Sequence, residues 1–191
     1  GATRRVLGRP GLVTHLFNGM PPLHHRSSGP VAGALGAAAT GDARVELVAD
    51  GVHLADDTVR MVFDLLGPDR VVLVTDATAA AGMPDGSYDL GPQRVRVVHG
   101  VARVGEGSGA PLAGGTAHLV DVVRRCVDAG VDLVSAVTAA TTSPAAAIGI
   151  DPKVATLSPG RPADLVVTDR DLEPTRVMRH GEWLAPASMA P

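Results

Sequence analysis

Three short apolar runs, each closed by a residue able to bind a metal or move a proton, constrain what this chain can fold into. Gly11-Leu12-Val13 leads through Thr14 into His15. Glu46-Leu47-Val48-Ala49-Asp50-Gly51-Val52 ends in His53, and Val71-Val72-Leu73-Val74-Thr75 ends in Asp76. Buried parallel strands read as nearly continuous apolar runs, and parallel-sheet enzymes gather ligands at the carboxyl ends of such strands. The runs predict strands over 13–16, 45–52 and 70–75. Between them, the Ala-rich stretch 31–40, ended by Gly41, reads as a helix. A second helix is expected over 58–66, capped by Asp56 or Asp57 and stopped by Gly67-Pro68. The order β, α, β, α, β, with a long polar loop over 18–30, has the spacing of α/β barrel units.

With 191 residues the chain is long enough for one domain with a sizeable core. The formal net charge is −3 and no basic stretch is interleaved with aromatics, so no nucleic-acid partner is expected. No run reaches the ~18 apolar residues of a membrane span. No signal peptide is recognisable, and the expected location is cytoplasmic. Cys126 is the single cysteine, on an apolar helix face, and reads as a small buried hydrophobe.

Beyond Asp76 the pattern changes. Gly82-Met83-Pro84-Asp85-Gly86 is a turn cluster, and 87–90 with 93–99 alternate as a hairpin. A glycine-rich loop fills 105–115, followed by a helix over 116–129. Another helix is expected over 133–148, capped by Asp132 or Ser135 and kinked or broken at Ser143-Pro144. Strands over 164–168 and 176–178 follow, with Gly181 in a hairpin turn.

Four motifs in order carry a family resemblance. They are Thr14-His15-Leu16-Phe17-Asn18-Gly19-Met20-Pro21-Pro22-Leu23, Ala49-Asp50-Gly51-Val52-His53, Val74-Thr75-Asp76-Ala77 and Pro111-Leu112-Ala113-Gly114-Gly115. The chain resembles the N-acetylglucosamine-6-phosphate deacetylases, metal-dependent (β/α)8 barrels of the amidohydrolase superfamily. The stretch 157–167 is similar to the turn and strand by which amidohydrolases enter a small β-domain. A complete barrel of this kind takes about 250 residues. The resemblance places residue 1 just before the sixth barrel strand, leaving the first five strands, with a Glu and a His metal ligand, without a counterpart. It implies a C-terminal portion, 1–155 as partial barrel and 156–191 as part of the small β-domain.

The resemblance also assigns roles. His15 on its own could be structural; the matching position in the family is a metal ligand, which suits a neutral imidazole. Asp76 on its own could cap a loop; its counterpart takes a proton from the attacking water and returns it to the leaving nitrogen. His53 matches a His that contacts the sugar and positions the amide, the alternative being a ring bonded to a nearby backbone carbonyl. Asn18 and Gly19 match positions that hold a phosphate, where free backbone N–H groups suit an anion. Gly19 stands where the family commonly has Ala. Arg26 matches an Arg that meets the phosphate across a dimer interface, and is otherwise a solvated loop charge. Leu112, Ala113 and Gly114 correspond to a loop that closes on the substrate, or form a flexible loop. His24 and His25 read as polar surface, His99, His118 and His180 as structural, and Asp85-Gly86 and Gly160 as turn formers.

The implied activity is hydrolysis of the acetamide of N-acetylglucosamine 6-phosphate to glucosamine 6-phosphate and acetate. The implied cofactor is a divalent metal, zinc first, with Fe2+ or another ion as alternatives, and the implied assembly is a homodimer. Two other readings stay open: an amidohydrolase with a different amide substrate, and an inactive or binding-only fragment. A chain lacking five barrel strands is further expected to expose apolar strand edges and to be poorly soluble in isolation.

Overall fold

The computed structural model describes residues 11–105, 107, 109–150, 154 and 156–185. Strands β1 (Gly11–Val13), β2 (Ala43–Leu47) and β3 (Val71–Leu73) form one sheet in that order. Both pairings are parallel, with Val13 opposite Val45 and Leu47 opposite Leu73. Helix α1 (Gly29–Ala39) connects β1 to β2, and α2 (Asp56–Leu66) connects β2 to β3. Consecutive parallel neighbours joined by helices are the repeating unit of an α/β barrel, so the expected fold class holds.

Each element follows from local chemistry. Pro30 sits in the first turn of α1, where its missing N–H is no loss. This starts the helix two residues before the stretch 31–40. In α2, Val59, Val62 and Phe63 are buried, an i, i+3, i+4 stripe. Asp56 and Asp57 lie inside its first turn, where their charge suits the helix dipole, and Ala55 occupies the cap position that one of them was expected to fill. Gly67 ends α2 at φ 70°, donating its N–H to the Phe63 carbonyl.

The strands are shorter at their carboxyl ends than the apolar runs suggest. β1 stops at Val13 and β2 at Leu47, so His15 and residues 48–53 belong to turns. Leu16, Val45, Leu47, Val62, Val71, Val122 and Cys126 are nonetheless fully buried in one core. Apolar density recorded burial there, and burial extends past the last residue of each strand.

A second sheet is an antiparallel meander, β4 (Gly86–Leu90), β5 (Gln93–Val98) and β6 (Val101–Val104). The hairpin 87–99 is therefore present, and β6 adds a strand that its four residues between two glycines did not announce. Asp85 closes the β5–β6 turn, accepting the His99 N–H at 2.6 Å and the Gly100 N–H at 3.0 Å. His99 and Gly100 take positive φ there, the geometry of a tight hairpin turn.

Helix α3 (Leu119–Asp128) begins three residues later than expected, with His118 as its cap and Asp121 accepting the His118 N–H. The expected helix over 133–148 is two, α4 (Leu133–Ala140) and α5 (Thr142–Ile148). Asp132 caps α4 by accepting the Ser135 N–H at 3.0 Å. The break falls at Thr141 rather than at Ser143-Pro144. Pro144 then lies in the first turn of α5, where no backbone N–H is required. A third sheet, β7 (Leu165–Thr168), β8 (Pro174–Arg179) and β9 (Glu182–Trp183), is antiparallel and turns at His180-Gly181. Arg124 of α3 ties it down, donating to the Asp171 carbonyl and pairing with Glu173 at 2.9 Å.

Cys126 is fully buried on α3. Burial, aided by the negative charge of Asp56, pushes its thiol up to about 12. A disulfide-exchange reagent at mildly alkaline pH is expected to leave the folded protein unlabelled and to modify this thiol on unfolding. Prompt labelling of the folded protein would contradict that placement.

Candidate active site

His15, His53 and Asp76 all lie just past the carboxyl ends of adjacent parallel strands. His15 follows β1, His53 the loop after β2, and Asp76 follows β3. This is the edge where barrel enzymes assemble their chemistry.

The backbone at His15 is strained, with φ 29°, and that at Asp76 has φ 48°. Non-glycine residues hold such angles at a cost of order 1–3 kcal/mol and do so disproportionately at functional positions. At His15 the strain is held by Glu46 of β2. One oxygen of its carboxylate accepts the Thr14 hydroxyl at 2.7 Å and the His15 N–H at 3.3 Å. The next residue, Leu16, is fully buried and donates its N–H to the Glu46 carbonyl at 2.8 Å. Together these contacts aim the His15 ring.

That ring tests whether the residues present suit a metal. His15 Nδ1 is buried and has no hydrogen-bond partner among the described residues. An orphaned buried nitrogen costs about 1–3 kcal/mol unless a ligand satisfies it, so His15 fits one coordination position. Among the described residues, however, no three or more His, Cys, Asp or Glu side chains stand together as a metal cluster.

Asp76 is exposed, and the loop 111–115 is built against its backbone. Gly115 donates its N–H to the Asp76 carbonyl at 2.7 Å, and Thr78 donates to the Gly115 carbonyl at 3.0 Å. A Cβ on Gly114 would come within 2.7 Å of the Asp76 carbonyl oxygen, and one on Gly115 would overlap the Thr75 carbonyl oxygen. Leu112 bridges to Arg103, and Ala113 donates to the Ala102 carbonyl at 3.0 Å. So Leu112, Ala113 and Gly114 are a tethered link between the meander and Asp76, not a free loop.

His53 bonds to a carboxylate rather than to a backbone carbonyl. Its Nδ1 lies 2.9 Å from Asp50 Oδ2, while Asp50 Oδ1 accepts the N–H groups of Val52 and His53, each at 2.9 Å. Burial pulls the Asp50 carboxyl up, but the His53 ring and these N–H groups outweigh it and hold it below the usual carboxylate value.

The expected phosphate loop is partly committed to its own turns. Positive φ at His15 and Phe17 brings the Asn18 N–H to the His15 carbonyl at 2.9 Å, so that N–H is not free for an anion as expected. Gly19, at φ 65°, has open space where a Cβ would be. Arg26 lies in a fully exposed stretch over 21–29, its N–H donated to His24 Nδ1 at 3.2 Å. The His24 and His25 rings stack on each other at 4.3 Å, a surface pair. A cavity of about 440 Å³ lined by residues of β5, β6 and the turn between them, with Gly105 and Gly107 of the loop that follows, includes none of the expected site residues.

Glu46, Asp50 and Gly115 stand within the runs and motifs quoted above, but the sequence assigned none of them a role of its own. Glu46 had a signal, a carboxylate in the middle of an apolar strand; Asp50 had one in standing three residues before His53.

His and Asp residues just past the carboxyl ends of parallel strands stand where α/β enzymes place their functional groups, and similarity to known proteins narrows the class. Residues 21–184 match the Amidohydrolase family, and the chain belongs to that family. It is 37% identical over 169 residues to the putative N-acetylgalactosamine-6-phosphate deacetylase of Escherichia coli (strain K12), covering 88% of this chain and 97% of that protein. It is 38% identical to the N-acetylgalactosamine-6-phosphate deacetylase of Escherichia coli O157:H7, over 92% of this chain but 45% of that one. Among solved structures, the N-acetyl-D-glucosamine-6-phosphate deacetylase of Mycobacterium smegmatis superposes with a TM-score of 0.85 at 42% identity, covering 96% of this chain and 48% of that one. A variant of the same enzyme in complex with N-acetyl-D-glucosamine-6-phosphate gives 0.83. The chain thus spans about half the length of several of the proteins it matches. Membership of the family supports the divalent metal expected above. Among the described residues no helix is long and apolar enough to cross a membrane.

Proposed function

We propose that the protein carrying this chain hydrolyses the acetamide of N-acetylglucosamine 6-phosphate. The observation that carries the reading is the pair of strained strand ends. One offers a buried imidazole nitrogen at His15 with no partner among the described residues, the other an exposed carboxylate at Asp76 pinned through its backbone. A divalent metal, zinc by the chemistry of a neutral imidazole, would take His15 as one ligand; when bound, it supplies carbonyl polarisation and an acidified water.

The protein's own steps need only a base that becomes an acid. Asp76 takes a proton from water as the water oxygen bonds to the acetyl carbon. The same carboxyl then delivers that proton to nitrogen as the C–N bond breaks, releasing acetate and the amine. The exposure of Asp76 leaves room for water and amide, and the Gly114-Gly115 contact fixes where it stands. Asn18, through its side chain, Gly19 and Arg26 would bind the phosphate. Arg26, exposed in the turn between His24 and Ser27, would reach it from the partner subunit of a homodimer. Residues over 156–185 would belong to the small β-domain, and the protein would work in the cytoplasm.

Replacing Arg26 with Ala is expected to lower kcat/KM for the phosphorylated sugar by about 10- to 100-fold, the worth of a charge-assisted contact. The same variant should leave the unphosphorylated sugar almost unaffected. Equal losses on both would remove Arg26 from phosphate recognition and favour a different amide substrate.

The names of the two Escherichia coli relatives favour a second substrate, the 4-epimer N-acetylgalactosamine 6-phosphate. Comparing kcat/KM for the two epimers decides between them; an advantage of tenfold or more for the galacto sugar would replace the first assignment.

A further inference from the structure

We propose that Asp50 is the positioning residue for His53, setting the ring's tautomer so that Nε2 meets the ligand as a hydrogen-bond acceptor. The inference rests on the deacetylase reading only for the identity of that ligand. The two side chains are almost inaccessible, 5% exposed for His53 and 6% for Asp50. Both oxygens of Asp50 are assigned. Oδ1 takes the N–H groups of Val52 and His53, and Oδ2 faces His53 Nδ1 at 2.9 Å. An ionised carboxylate only accepts, and the bonds around Asp50 keep it ionised. Nδ1 must therefore carry the proton, leaving the lone pair of the neutral ring on Nε2. Nε2 has no hydrogen-bond partner among the described residues and is not a buried orphan like His15 Nδ1.

The turn carrying the pair is tightly specified. Gly51 has φ 79°, and a Cβ there would sit 2.8 Å from Nε of Arg125, whose guanidinium pairs with Asp56 at 2.9 Å. A ligand facing Nε2 must bring a donor, which an acetamido N–H or a sugar hydroxyl provides.

Asp50→Asn is the informative variant because its outcome is forced. The amide oxygen must stay on the two backbone N–H groups, which places the NH2 against His53 Nδ1. Nδ1 then has to accept, and the ring proton moves to Nε2. The test is 15N NMR of the His53 ring at a pH where it is neutral, with kcat and KM measured alongside. The parent protein is expected to show protonated Nδ1 and bare Nε2, and Asp50→Asn the reverse. The variant's kcat/KM should fall by about 10²-fold, as expected when a tautomer-fixing partner is lost. A parent ring protonated at Nε2, or a variant whose tautomer and rate are unchanged, overturns the proposal. If Asp50→Asn does not fold, the parent spectrum alone decides. If the parent shows the Nδ1 proton and the variant inverts it, yet neither sugar phosphate is hydrolysed, the positioning role stands and the substrate reading fails.

Discussion

Asp76→Asn is expected to lower kcat for amide hydrolysis by about 10³- to 10⁴-fold, the full worth of a positioned acid–base group, with little change in KM. The substitution is nearly isosteric and removes only the capacity to take and return a proton. It should not disturb the fold, because what Asp76 gives the structure is its backbone. The Asp76 carbonyl accepts the Gly115 N–H, and the residue holds φ 48°, an angle that Asn adopts at least as readily as Asp. Thermal unfolding should therefore shift by no more than about 2 °C, in keeping with an exposed substitution worth under ~0.5 kcal/mol. Activity within tenfold of the parent would remove Asp76 from the chemistry.

Gly115→Ala is expected to do the opposite, acting through structure first. Its Cβ would overlap the Thr75 carbonyl oxygen and sit 3.1 Å from the Thr75 carbonyl carbon. Neither is a side chain that can swing aside. Relief requires separating 111–115 from the strand end, which breaks the bonds between Gly115, Asp76 and Thr78. We expect a loss of about 3 kcal/mol, the upper part of the usual overpacking range, and hence a fall in Tm of about 6–12 °C. Activity should fall even at temperatures where the variant is folded, because Asp76 moves with the loop. Gly114→Ala should be milder in packing, since its nearest obstacles include the movable Thr78 methyl, although φ 100° strains any side chain there. A Gly115→Ala protein with parental stability and rate would show that the contact does not position Asp76.

How much of this was legible beforehand depends on the range of the interaction. The alternation of parallel strands and helices was legible because burial on both faces leaves a dense apolar run, and Leu47 and Val71 carry that mark. The carboxyl ends of the strands were not. Leu16 and Val48 are as buried as Val45 but lie beyond the ladder, so apolar density could not show where β1 and β2 stop. His15 and Asp76 were legible through their motifs; the unusual backbone at both could not be read from residue types. Glu46 and Asp50 were missed because their value lies in contacts. Glu46 reaches Thr14 and His15, 32 and 31 positions away, and Asp50 holds a ring and two N–H groups within one turn. The opposite error occurred at Asn18, whose N–H is spent on His15 because of φ angles invisible in the letters.

The most direct test of the central claim is acetate release from N-acetylglucosamine 6-phosphate, measured with the divalent ion supplied and bound ion quantified in the same sample. Acetate and primary amine are expected in equal amounts from this sugar phosphate or its 4-epimer, and far more slowly from the sugars lacking phosphate. Metal-loaded protein that releases no acetate from either sugar phosphate would contradict it.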